Sequence, residues 1–312
     1  MDRIIRHYKY RKFRKNSEGV KHIYPEELRI QYEDYLNVFL TLEAQYGKDY
    51  FEESNMKVLI NLKNYSLIQS HYLTASKELI SNLEILNNNN EVFFQINSLG
   101  LKGAKPKVES KKVAVWGDSV VFGFGKTWCD LQIGNSVQIF SGGLEGATAE
   151  DILRFAHQKN LENRFDLNIV SLGWHSIASR QRTNEYLSKA RDIPNCALMT
   201  LPFSIPLKKS MSDIGSEFNF SKSVDDAFFF WGNQEYSVNS CFKLIYDMSI
   251  QNQKIRQFAR KFGIPLLDFE LIFGSHKMQE IDKSRFFDIG HLRPSAYPNV
   301  AGELSAFVRT IV

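Results

Sequence analysis

Five short apolar runs, at 112–116, 137–140, 167–172, 196–201 and 265–268, constrain this chain more than any other feature. Each is followed by a turn and then by a segment with helical spacing. Apolar runs of this length suit strands buried on both faces, and their alternation with helices predicts βαβ units on a parallel sheet. The expected fold class is α/β: a three-layer α/β/α sandwich of about five parallel strands.

Upstream, residues 25–90 read as helical. Pro25, Glu26 and Glu27 form a plausible helix start, with acids near the positive end of the helix dipole. Leu28, Tyr32, Tyr35, Leu36 and Leu40 then fall on one stripe. A second run from 59 to 86 carries Leu67, Ile68, Leu73, Leu79, Ile80, Leu83 and Leu86, and the asparagines at 87–90 end it. Gly100, Gly103 and Pro106 mark a boundary. The expected organisation is a helical N-terminal module over 1–95 with a basic tail, then an α/β domain over 96–312. The apolar stripes of the module need burial, which fits packing beside the domain or self-association as a homodimer. Within the domain, 203–236 is an aromatic-rich insertion carrying Phe218, Phe220, Phe228, Phe229, Phe230 and Trp231. It reads either as packing against the body or as a lid at the strand ends.

Composition excludes several classes. With 43% hydrophobic and 24% charged residues the chain is globular rather than disordered. No stretch approaches the roughly 20 apolar residues that cross a bilayer. The basic N-terminus lacks the apolar core and cleavage site of a secretory signal. Three cysteines (Cys129, Cys196, Cys241) without a CxxC pair imply reduced thiols and a cytoplasmic location. Residues 1–15 hold seven Lys/Arg and one Asp, a local charge of +6 against +4 for the whole chain, so the remainder carries −2. Such a tail is a solvated end or a contact for an anionic membrane surface or a protein. No RNA-recognition, zinc-finger or helix-turn-helix pattern argues for a nucleic-acid partner.

Ligands of parallel α/β sheets bind where loops converge at the strands' carboxyl ends. After the first run come Gly117, Asp118 and Ser119. A serine just past a strand end presents a nucleophilic hydroxyl and a backbone N–H to one cleft. Gly123 and Gly125 do not complete a dinucleotide fingerprint, because Trp128 stands where the third glycine belongs. After the second run, Gly142, Gly143 and Gly146 precede a helix expected to open at about Thr148, so their N–H groups are candidate donors to an oxyanion. After the third come Gly173, Trp174, His175 and Ser176. Near the end of the chain Asp288 stands three residues before His291, a spacing at which a carboxylate can orient an imidazole. His157, His175, His276 and His291 show no metal-ligand spacing, so no metal is expected.

Taken in order, these segments resemble the SGNH (GDSL-type) hydrolase superfamily over about residues 95–312. The first block matches Gly117, Asp118 and Ser119, the second Gly146, and the last Asp288 and His291. The stretch from Asn97 to Gly103 is also similar to a lead-in of polysaccharide-associated bacterial members. The resemblance implies a flavodoxin-like strand order, Ser119 as nucleophile, His291 as its base and Asp288 as the group that orients His291. It places an oxyanion between the N–H groups of Ser119 and Gly146, with Asp118 and Gly143 among the oxyanion- or substrate-binding positions. Two departures stand out. His175 replaces the usual asparagine donor, and Ala296 replaces a usual glycine. The implied activity is a serine-dependent esterase or deacetylase on a carbohydrate or small O-acylated substrate, with no cofactor. Transfer of the acyl group to a sugar hydroxyl, or a weakly active binding or assembly role, remains open.

Overall fold

The computed structural model describes residues 56–59, 78–79, 81–86, 92–123, 128–131, 136–203, 238–273, 285–286, 290–292 and 294–312. Three strands come first: β1 (Met56–Leu59), β2 (Leu83–Leu86) and β3 (Val92–Ile96). A further strand then forms at each of the five apolar runs. These are β4 (Lys111–Gly117), β5 (Val137–Gly143), β6 (Leu167–Val170), β7 (Cys196–Met199) and β8 (Leu266–Leu267). The five pair in parallel, in the order β5-β4-β6-β7-β8. Counted along the chain from β4 this is 2-1-3-4-5, the flavodoxin-like order.

The two faces of the sheet separate residue by residue. Val113 and Val115 of β4 join Ile139, Leu167, Ile169 and Met199 in one buried cluster. Their neighbours Ala114 and Trp116 join Phe140, Val170 and Leu198 in a second. Successive strand residues point to opposite faces, so a run that is apolar at every position feeds two cores at once.

Helices cover both clusters. A single turn, α1 (Ser119–Phe122), directly follows β4. On the Trp116 face α2 (Ala149–Glu162), α3 (Thr183–Arg191) and α4 (Val238–Phe262) contribute Ile152, Phe155, Tyr186, Leu187 and Ile255. On the Val113 face α5 (Phe269–Phe273) and α6 (Tyr297–Arg309) contribute Phe269, Val300, Leu304 and Val308. The expected start near Thr148 is a capping box: Thr148 accepts from the Asp151 N–H, and the Asp151 carboxylate accepts from the Thr148 N–H. The Trp116 layer also buries a polar side chain. Asn168 of β6 accepts from the Trp116 indole N–H at 2.8 Å and donates to Asn160 Oδ1 and the Pro194 carbonyl.

The region ahead of the large sheet differs from expectation. β1, β2 and β3 form a small sheet in which β1 and β2 are parallel and β2 and β3 antiparallel. Leu79, Leu83 and Leu86 suit a helical stripe, but Leu83 and Ile85 are fully buried on either side of the half-buried Glu84, a period of two. Asn82, at φ 58°, makes the turn into the strand. Leu83, Ile85, Phe94 and Ile96 are buried in the same cluster as Trp116, so β2 and β3 belong to the core of the α/β body. The remainder of the expected 1–95 module, and the 203–236 insertion beyond Phe203, lie outside the described residues.

At the carboxyl ends of β7 and β8 a charged network joins α4 to α5. Arg256 donates to both Asp268 oxygens at 2.6 and 2.7 Å and to Glu270 Oε2 at 2.8 Å. Thr200 donates to Asp268, and Asn252 to Glu270. Burial pushes the Asp268 carboxyl up, but the hydrogen bonds and charge of Arg256, helped by Thr200, outweigh it and hold the group below its usual value. At Glu270 burial outweighs Arg256 and Asn252, and the carboxyl is raised. A carboxylate lowered by folding adds stability above its unfolded value of ~3.9, and that stability is lost as pH falls through the lower folded value. Asp268→Asn is therefore expected to be less stable than the wild type at pH 7, with the gap closing below about pH 4. Urea midpoints measured from pH 7 to pH 3 check this; a gap constant across that range removes Asp268 as its source.

Candidate active site

β4 ends at Gly117, and Asp118 caps the single turn α1. This sharp strand-to-helix junction leaves Ser119 half-buried at the head of the turn, while Val120, Val121 and Phe122 go into the core. Ser119 Oγ lies 2.8 Å from His291 Nε2, across 172 positions of sequence. His291 is half-buried in the loop before α6.

Close packing makes the turn possible. A Cβ on Gly117 would meet Val121 Cγ2 at 2.3 Å, and one on Gly143 would meet the Phe122 nitrogen at 2.1 Å. The end of β5 thus presses on the backbone of α1 at a distance only glycine permits. Gly143 is buried and its N–H donates to Ser141 Oγ at 3.3 Å, so it shapes the turn and does not offer that N–H to a substrate.

Asp118 also differs from its expected place. It is fully buried. One carboxylate oxygen accepts from the Val120 N–H at 3.1 Å and the other from the Trp174 N–H at 2.5 Å. The side chain therefore ties the Ser119 turn to the loop after β6 and does not face a substrate. That loop approaches so closely that a Cβ on Gly173, at φ +75°, would fall 2.9 Å from Asp118 Oδ2.

Trp174 extends the tie. A Cβ on Gly290, the residue before His291, would sit 2.3 Å from Trp174 Nε1, so the indole packs directly on the histidine loop. Ser176, buried in the same segment, donates to the Gly173 carbonyl at 2.6 Å and contacts Gln251 Oε1 of α4 at 2.8 Å. Sequence reasoning missed these roles of Trp174 and Ser176. The signal available was the pair of glycines, Gly173 and Gly290, that their neighbours require.

Gly146 lies in the turn between β5 and α2, exposed, with left-handed backbone at φ +67° and open space where a Cβ would be. Among the described residues neither the Ser119 N–H nor the Gly146 N–H has a protein acceptor. His175 is half-buried at the start of the 3-10 segment Trp174–Arg182. Asp288 lies outside the described residues. Among the described residues no three His, Cys, Asp or Glu side chains are grouped as a metal site would need, and no helix is long and apolar enough to cross a membrane.

No protein-family model matches the chain, and no curated protein matches it. Solved structures do. One is a member of the lipolytic G-D-S-L family from Veillonella parvula, 15% identical, with 64% of this chain and 100% of that one covered at a TM-score of 0.44. A GDSL-like lipase from Bacteroides thetaiotaomicron is 13% identical, with 67% and 93% covered at 0.45. A catalytic mutant of an acetylxylan esterase from Geobacillus stearothermophilus is 12% identical, with 65% and 96% covered at 0.44.

Gly143 at the end of β5 and Gly146 in the turn after it have opposite surroundings, which separates their substitutions. Gly143→Ala is expected to fall at the upper end of the ~1–3 kcal/mol cost of overpacking. Gly146→Ala meets nothing, and its cost is limited to the ~1–2 kcal/mol of a left-handed alanine. Chemical denaturation of both variants tests the difference; a Gly143→Ala midpoint equal to wild type would show that β5 does not press on the turn.

Proposed function

We propose that this chain is a serine-dependent ester hydrolase. The observation that carries the reading is the 2.8 Å contact between Ser119 Oγ and His291 Nε2 at the carboxyl end of a parallel sheet. In the reaction His291 Nε2 takes the hydroxyl proton as Ser119 Oγ bonds to the ester carbonyl carbon. The carbonyl oxygen becomes an oxyanion, for which the backbone N–H groups of Ser119 and Gly146 are the donors. On collapse the C–O bond to the alcohol breaks, and the alcohol leaves with the proton held by His291. Water then repeats the sequence against the acyl-serine and frees the acid. In this reading Asp288 orients His291, and His175 supplies a further N–H where the superfamily it resembles uses asparagine.

The substrate we propose is a carbohydrate or small O-acylated molecule, from the similarity of the segment 97–103 to polysaccharide-associated members. A sugar hydroxyl in place of water in the second half would make the same groups an acyltransferase. The three dispersed cysteines support a cytoplasmic setting.

Hydrolysis of p-nitrophenyl acetate is expected for the wild type, with Ser119→Ala and His291→Ala each slower by at least ~10³-fold. A fluorophosphonate is expected to phosphonylate Ser119 Oγ with loss of fluoride, raising the mass at Ser119 by that of the reagent less HF. Equal rates in the wild type and Ser119→Ala remove Ser119 from the mechanism. For His175, alanine is expected to cost about 10²-fold in kcat and asparagine to restore most of it; an unchanged His175→Ala would leave the oxyanion to the backbone donors.

A further inference from the structure

The turn that presents Ser119 has a feature the esterase reading does not use. Lys102 has none of its surface exposed. Lysine is almost never fully buried unless paired, because an unpaired charge in the interior is costly. Its Nζ donates to the carbonyl of Phe122, the last residue of α1, at 2.8 Å. The same ammonium lies 3.9 Å from the ring centroid of Phe122 and 4.6 Å from that of Phe94. Those rings meet edge to face at 5.6 Å. Carbonyl and ring faces together form a negative pocket for one positive charge.

The residue beside it holds the adjacent carbonyl. Ser141 Oγ donates to Val121 O at 2.8 Å. Lys102 and Ser141 are themselves paired through their backbones, at 2.8 Å from Lys102 N to Ser141 O and 2.9 Å in return. The last carbonyls of a helix lack intrahelical partners. Here two of them are held by side chains from one backbone bridge, and a third, Ser119 O, accepts from Gly123 N at 2.9 Å.

We propose that Lys102 is a positioning residue for Ser119: its ammonium, coupled to Ser141, fixes the carbonyl end of α1 and so aims the hydroxyl at the other end toward His291. The proposal rests on the esterase reading of Ser119. A turn of four residues has almost no stability of its own, so its orientation is set from outside. An ammonium also complements the negative end of the turn. Stability alone does not call for the charge, since replacing a buried ion by an apolar side chain of similar volume is often neutral or stabilising.

The test uses the full-length chain and the variants Lys102→Met and Ser141→Ala. Three properties are read: the thermal midpoint, kcat and KM on p-nitrophenyl acetate, and amide hydrogen exchange at 121–123 against β6. Lys102→Met is expected to stay folded, to lose at least tenfold in kcat with KM within twofold, and to exchange at least tenfold faster at 121–123 only. Ser141→Ala is expected to move both readouts the same way by less. A folded Lys102→Met with wild-type kcat, or with wild-type exchange at 121–123, overturns the proposal. If Lys102→Met does not fold, Ser141→Ala decides, and wild-type kcat and exchange in that variant overturn it. Should wild-type and Ser119→Ala rates coincide, it is the esterase reading that fails, and exchange at 121–123 in Lys102→Met still decides whether Lys102 holds the turn.

Discussion

A single turn of helix, α1, is the element on which the site depends, and it cannot hold itself. Forming one turn fixes several residues for very little hydrogen bonding, so such a turn persists only where its surroundings define it. Every side of this one is defined. Asp118 takes the Val120 N–H at its head, Lys102 and Ser141 take carbonyls at its tail, and Gly117 and Gly143 let β4 and β5 close on its flank. Ser119 therefore sits at the head of a turn braced from several sides, and its hydroxyl there meets an imidazole from a distant loop.

The second part of the arrangement brings the partner in. Asp118 grips the Trp174 backbone, and the Trp174 indole bears on Gly290, the residue before His291. Ser119 and the loop of His291 are thus linked through a buried carboxylate and a buried ring as well as through the direct contact of the two side chains. The charged network of Arg256, Asp268 and Glu270 also lies at the carboxyl ends of the strands. There it anchors α4 to the ends of β7 and β8, and α4 in turn supplies Gln251 to Ser176 in the loop that carries His175.

Much of this is legible in the sequence, for definite reasons. A strand buried on both faces is mostly apolar on either side, so 112–116 and 167–172 are visible without any partner. Ser119, Gly146 and His291 stand out because they follow such strands or sit at a telling spacing. Other elements cannot be read that way. Leu83 and Leu86 fit a helix as well as a strand, and only pairing with β3 decides for the strand. Nothing in the sequence marks Lys102 as buried, because the carbonyl and the two rings that receive it come from other segments of the chain. Asp118 beside a serine invites a role with substrate, whereas the N–H that claims its second oxygen lies 56 residues away.

Lys102 also has a consequence for the modularity of the chain. Its backbone bridges Ile96 on one side and Ser141 on the other, stitching the small sheet to the edge of the large one. Leu83, Ile85, Phe94 and Ile96 bring to the shared core ~1.5–3 kcal/mol each of burial, comparable in sum to the whole stability of a typical domain. The leading segment is therefore no detachable appendage. An excised cassette beginning at β4 would keep Ser119 and His291 in its sequence, yet lose the wall against which α1 is held.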